Sequence, residues 1–67
     1  MLQYSVLIQY DGRDNIYVAR IPELGGCMAH GDTQEDAMRE LKIALELWIE
    51  TAKESGIKIP EPTLFVS

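Results

Sequence analysis

The stretch Pro22–Leu47, PELGGCMAHGDTQEDAMRELKIALEL, constrains this chain more than any other. Its first half is a glycine-punctuated turn holding the single cysteine and the single histidine. Its second half opens a long amphipathic helix. Thr33 reads as the N-cap, with Gln34, Glu35 and Asp36 in the first turn, where carboxylates suit the positive end of the helix dipole. Asp36 stands three residues after Thr33, a short-acid version of a capping box. The apolar residues Ala37, Leu41, Ala44, Leu45, Trp48 and Ala52 recur at spacings of three and four and form one stripe. The helix is predicted to run to about Ser55 and stop at Gly56, with Lys53 placed where the C-terminal end of the dipole favours a cation.

A helix with one apolar stripe needs a sheet to cover, and the flanking sequence supplies it. Residues Leu2–Tyr10 alternate, with Leu2, Tyr4, Val6, Ile8 and Tyr10 on one face. Asp11-Gly12-Arg13-Asp14-Asn15 is a turn. A second strand follows from about Ile16 to Ile21, joined to the first as an antiparallel hairpin through a loop of about five residues. Pro22 ends it, because proline gives the ladder no donor. Leu24 is expected to plug the turn into the core, and Cys27-Met28-Ala29-His30 reads as a third strand. Beyond the helix, Ile59-Pro60-Glu61-Pro62 holds the chain extended, and Thr63–Val66 has strand character and is expected to return as a fourth strand. The expected fold is α+β: an antiparallel sheet with one long helix packed on one face, in the order β-β-β-α-β, as a single domain over residues 1–67.

Sixty-seven residues with 46% hydrophobic content allow one core. A chain this short buries only about 60% of its unfolded surface. A single cysteine rules out an internal disulfide. Small domains without such staples gain stability by associating, so a homo-oligomer, dimer or tetramer, is expected. The net charge of −5 opposes direct nucleic-acid binding, since phosphates repel it, and suits a basic protein partner. The start shows no basic, apolar leader, and no run of about 18 apolar residues suggests a membrane span. An unpaired cysteine suits a reducing cytosol. The reading is therefore a cytoplasmic protein.

Chemistry-bearing residues are sparse. Cys27 and His30 lie three apart; on a strand that spacing turns them to opposite faces, so Cys27 is expected in the core and His30 at the surface or an interface. One Cys and one His are too few for a zinc centre. Asp11 and Asp14 form a turn, while Asp32, Glu35 and Asp36 serve the helix start. Gly25-Gly26 fits neither a P-loop nor a dinucleotide fingerprint. No catalytic residue, cofactor or metal is assigned, and the protein is not expected to be an enzyme. Glu35, Arg39, Lys42, Glu46, Glu50 and Glu54 form the solvated helix face, with weak pairs expected at Arg39–Glu35 and Lys42–Glu46. Ile43 and Leu47 interrupt that polarity at i and i+4, which marks a contact surface. Asp11, Asp14, Glu23, His30, Ile43 and Leu47 are the candidate partner-binding residues. The acidic ones would meet a basic partner; the helix pair would serve the homo-oligomer.

The pattern Pro22-x-Leu24-x-Gly26-Cys27-x-x-x-Gly31-x-Thr33-x-x-x-Ala37, followed by Ala44-Leu45, resembles the HicB-like antitoxin family. Tyr17-Val18-Ala19 leading to Ile21-Pro22, and Ile59-Pro60-Glu61-Pro62, are similar to the same family. The resemblance covers nearly the whole chain. It implies a partial ribonuclease-H-like fold and protein–protein neutralisation of a HicA-like toxin, a small basic RNA-cleaving protein that supplies its own catalytic histidine. The alternative is a stand-alone oligomeric binding or adaptor module of unknown ligand, with no toxin partner. The fold resemblance transfers no ribonuclease activity.

Overall fold

The structure, a computed structural model, describes residues 3–65. Three strands precede one helix: β1 (Leu7–Asp11), β2 (Ile16–Arg20), β3 (Met28–Gly31) and α1 (Gln34–Ser55). The sheet is antiparallel in the order β1-β2-β3. Its register sorts the side chains by row. Ile8–Ala19–Ala29 and Tyr10–Tyr17–Gly31 face the helix, while Leu7–Arg20–Met28 and Gln9–Val18–His30 face away. The period-two alternation of the sequence is this division.

The core gathers at the helix side: Ala19, Ile21, Leu24, Cys27, Ala37 and Leu41 are buried, with Tyr4, Val6, Ile8, Tyr17, Ala44, Leu45 and Trp48 packed around them. Leu24 plugs the β2–β3 turn as expected, at 2% exposure. Trp48 does more than pack: its Nε1 donates to the Gly25 carbonyl at 2.8 Å, so the helix pins that turn. Gly31 sets how closely sheet and helix meet. A Cβ there would lie 2.5 Å from the Ala37 nitrogen and 2.7 Å from the Asp36 carbonyl carbon, so only a residue without a side chain lets the first helical turn rest on β3.

Both helix ends follow the chemistry of their residues. Thr33 accepts from the Asp36 N–H through Oγ1 at 3.0 Å. Gly56 takes φ 71°, with its N–H on the Lys53 carbonyl at 3.3 Å and the Ile57 N–H on the Ala52 carbonyl at 2.8 Å. That paired closure satisfies two orphan carbonyls and needs a left-handed residue.

Several local expectations are corrected. β1 starts at Leu7, and the hairpin loop has four residues, because Asp11 still pairs with Ile16. Arg39 bonds Asp36 at 2.9 Å rather than Glu35. The Asp36 carboxylate therefore turns toward Arg39, leaving the capping box half made. The expected fourth strand is absent among the described residues: 63–65 join no ladder, and Val66 lies outside them. Two side chains hold this tail. The Glu23 carboxylate accepts from the Thr63 N–H at 2.9 Å, and Tyr4 donates to the Pro60 carbonyl at 2.7 Å.

Candidate interaction surface

The antiparallel ladder places the candidate residues at three locations. β2 carries the chain from one end of the sheet to the other, so the 12–15 hairpin tip and the β3–α1 junction share one end, while the β2–β3 turn occupies the opposite end. Asp11, Asp14, Asp32, Glu35 and Asp36 collect at the first end. Asp11 acts partly as a turn former, its Oδ1 accepting from the Arg13 N–H at 2.9 Å, and Asp14 is exposed.

Glu23 stands alone at the far end and is employed internally. Its Oε2 accepts from the Ser5 N–H and hydroxyl, both at 3.0 Å, as well as from Thr63. Those donors, the Thr63 N–H first and the Ser5 N–H next, stabilise the carboxylate and hold its pKa down at about 2. Oε1 is buried without a hydrogen-bond partner. Glu23, a candidate partner-binding residue, ties Ser5 and Thr63 to the β2–β3 turn, and nothing in the local sequence signals this, since those residues are 18 and 40 positions away.

His30, Ile43 and Leu47 border the same space, His30 from the β3 edge and the other two from α1. They line one open groove of about 590 Å³ between β3 and α1, with Met28, Ala29, Asp36, Glu40 and Ala44. A second apolar groove, of about 490 Å³, runs past Gly26, Cys27, Trp48 and Ile57 and meets the first at Ala44 and Leu47. Ile43 and Leu47 are 50% and 58% exposed, and Met28 is 53% exposed. The two grooves thus adjoin at Ala44 and Leu47: the first runs along β3 and mixes apolar with acidic residues, and the second, apolar one lies beside the β2–β3 turn. Ile43 and Leu47 stand out in the sequence as apolar residues on a charged helix face; Ile57 gave no signal, because its exposure depends on where the chain runs after the helix, and Met28 is exposed on the sheet face away from α1.

Cys27 and His30 do not meet. Cys27 is buried at 3% exposure and faces the helix, whereas His30 is exposed on the opposite face, as their spacing predicts. Burial pushes the Cys27 thiol up, away from thiolate reactivity. Among the described residues, no group of three or more His, Cys, Asp or Glu side chains converges to hold a metal ion. No helix of the described residues is long and apolar enough to cross a membrane.

Comparison with known proteins bears on this non-convergent, apolar and acid-framed surface. The family model described as HicB-like antitoxin of bacterial toxin-antitoxin system matches residues 4–66. The chain belongs to the HicB-like antitoxin family. Similar relatives include a UPF0150 protein of Synechocystis sp., 41% identical over 59 residues, which cover 88% of this chain and 80% of that protein. A UPF0150 protein of Thermoplasma acidophilum is 37% identical over 59 residues, covering 88% of this chain and 84% of the relative. A second Synechocystis UPF0150 protein is 36% identical over 63 residues, covering 94% and 78%. No solved structure matches the chain. For a HicB-like antitoxin domain, the family points to a binding role.

Proposed function

We propose that this HicB-like protein neutralises a HicA-like RNA-cleaving toxin by covering it through direct protein contact in the cytoplasm. The family match over residues 4–66 carries the reading. The molecule's chemistry supports it: the net charge is −5, Asp11, Asp14, Asp32, Glu35 and Asp36 gather at one end, and the exposed apolar side chains Ile43 and Leu47 suit a protein partner. Electrostatic attraction between an acidic antitoxin and a basic toxin would speed encounter and weaken with salt.

The test is co-expression. A small basic protein encoded beside this gene should arrest growth and cleave RNA when induced alone, and co-expression of this chain should restore growth. The two should co-purify at low salt. A neighbour that leaves growth unaffected, or arrest that this chain fails to relieve, counts against the reading.

Self-association belongs to the same proposal. Leu64 and Phe65 are 65% and 86% exposed, and a chain of this size has little core to spend. Light scattering should return a mass above the 7.6 kDa of one chain; a monomer at high micromolar concentration would remove this part.

A further inference from the structure

The sheet and the helix are offset from each other. α1 packs chiefly on β3, less on β2 and barely on β1, so the helix lies toward the β3 edge. That edge has no strand partner among the described residues. The Ile21 N–H bonds the Cys27 carbonyl at 3.0 Å. By the alternation of an antiparallel ladder, Ala29 and Gly31 also turn their polar groups toward β2, while the N–H and C=O of Met28 and His30 point off the free edge. The edge is an open template, and the space beside it is floored by helix. A strand placed there would lie over Ile43, Ala44 and Leu47, which already line the groove.

The charge pattern selects the occupant. With 3.6 residues per turn, Asp36, Glu40, Ile43, Leu47, Glu50 and Glu54 fall within about 40° of one line along α1. Two apolar residues are thus bracketed by two acids on each side, and Asp32 lines the same groove. A second copy pairing β3 to β3 about a two-fold axis would set Ile43 against Leu47, as hydrophobicity favours. The same operation would set Glu40 against Glu50 of the other copy, two like-charge encounters, while Asp36, already paired with Arg39, would meet Glu54. A basic partner meets no such opposition.

We infer that the β3 edge and the Asp36–Glu54 flank of α1 form the docking site for a basic protein, which adds an extended segment to β3 with apolar residues over Ile43 and Leu47 and arginine or lysine beside the bracketing acids. This is strand addition with side-chain selection. It rests on the antitoxin-type reading for the kind of partner, and it deepens that reading by naming the surface.

The probe is an eight-residue peptide alternating valine and arginine, titrated into the ¹⁵N-labelled full chain. Expected are shifts centred on the amides of Met28 and His30, slower hydrogen exchange at those two N–H groups, and loss of binding as salt rises. Leu47→Asp should weaken binding at least tenfold, and Glu40→Lys with Glu50→Lys should weaken it several-fold. Both changes sit on exposed positions, and circular dichroism checks that the fold is kept. A peptide with glutamate in place of arginine should not bind. The inference is overturned if no peptide binds, if shifts centre on another face, if the glutamate peptide binds as well, or if Leu47→Asp splits an oligomer into monomers, which would assign the site to a second copy. Toxin neutralisation that survives Leu47→Asp and the double charge reversal would sink the surface and leave the proposed function standing. Peptide binding at β3 by a chain that rescues no toxin would do the reverse.

Discussion

Glu23 shows how one side chain substitutes for a missing ladder. Its carboxylate collects the Ser5 N–H, the Ser5 hydroxyl and the Thr63 N–H, and these bonds require the ionised form. The folded pKa of about 2 lies below the ordinary value of 4.5, so the unfolded chain takes up the proton first. This contribution to stability is complete above pH of about 4.5 and is lost as pH falls from there toward about 2. Glu23→Gln should therefore be less stable than the parent at pH 7. The difference between the two melting temperatures should shrink on acidification to pH of about 2.5. A constant gap across that range would show that the ionised carboxylate does not hold the termini.

The contact between β3 and α1 is decided where two elements nearly touch. Gly31 leaves room for the Asp36–Ala37 backbone, and Thr33 caps the helix two residues later. Gly31→Ala would drive its methyl group against backbone that cannot rotate away, and overpacking of this kind costs about 1–3 kcal/mol. For a domain of this length each kcal/mol is worth roughly 4–8 °C, so the melting temperature should drop by at least that much. Thr33→Ala removes only a side-chain acceptor from one N–H and should cost about 1 kcal/mol. Thermal melts of the two variants should rank Gly31→Ala as equal or worse. A Gly31→Ala protein that melts with the parent would mean that helix and strand are not in close register.

For the molecule as a whole, the alternation from Tyr4 to Ile8, the turn residues of Gly12–Asn15, the Thr33 cap, the 3,4-spaced stripe and the Gly56 stop were all legible along the chain, while Leu2 lies outside the described residues. Each is local chemistry, in which a residue's own φ/ψ preference or its i, i+2 or i, i+4 neighbour decides the outcome. Cys27 and His30 could be separated by parity alone, and Ile43 and Leu47 stood out against a charged background. Three things were not legible: the fate of 63–65, the engagement of Glu23, and the offset of α1 toward β3. They depend on residues far apart in sequence meeting in space. The local β preference of Thr63–Phe65 was outweighed by a carboxylate 40 residues away, and a stripe of apolar residues says that a helix has a buried side without saying which strand lies over it. Sequence by itself determined the first three strands, the helix, its caps and the order of those four, because they follow from steric and hydrogen-bonding preferences within a few residues. Only the tertiary structure decided which strand edge stays open beside the helix and which acids frame it, because packing of whole surfaces, not any single residue's preference, fixes where one element rests on another.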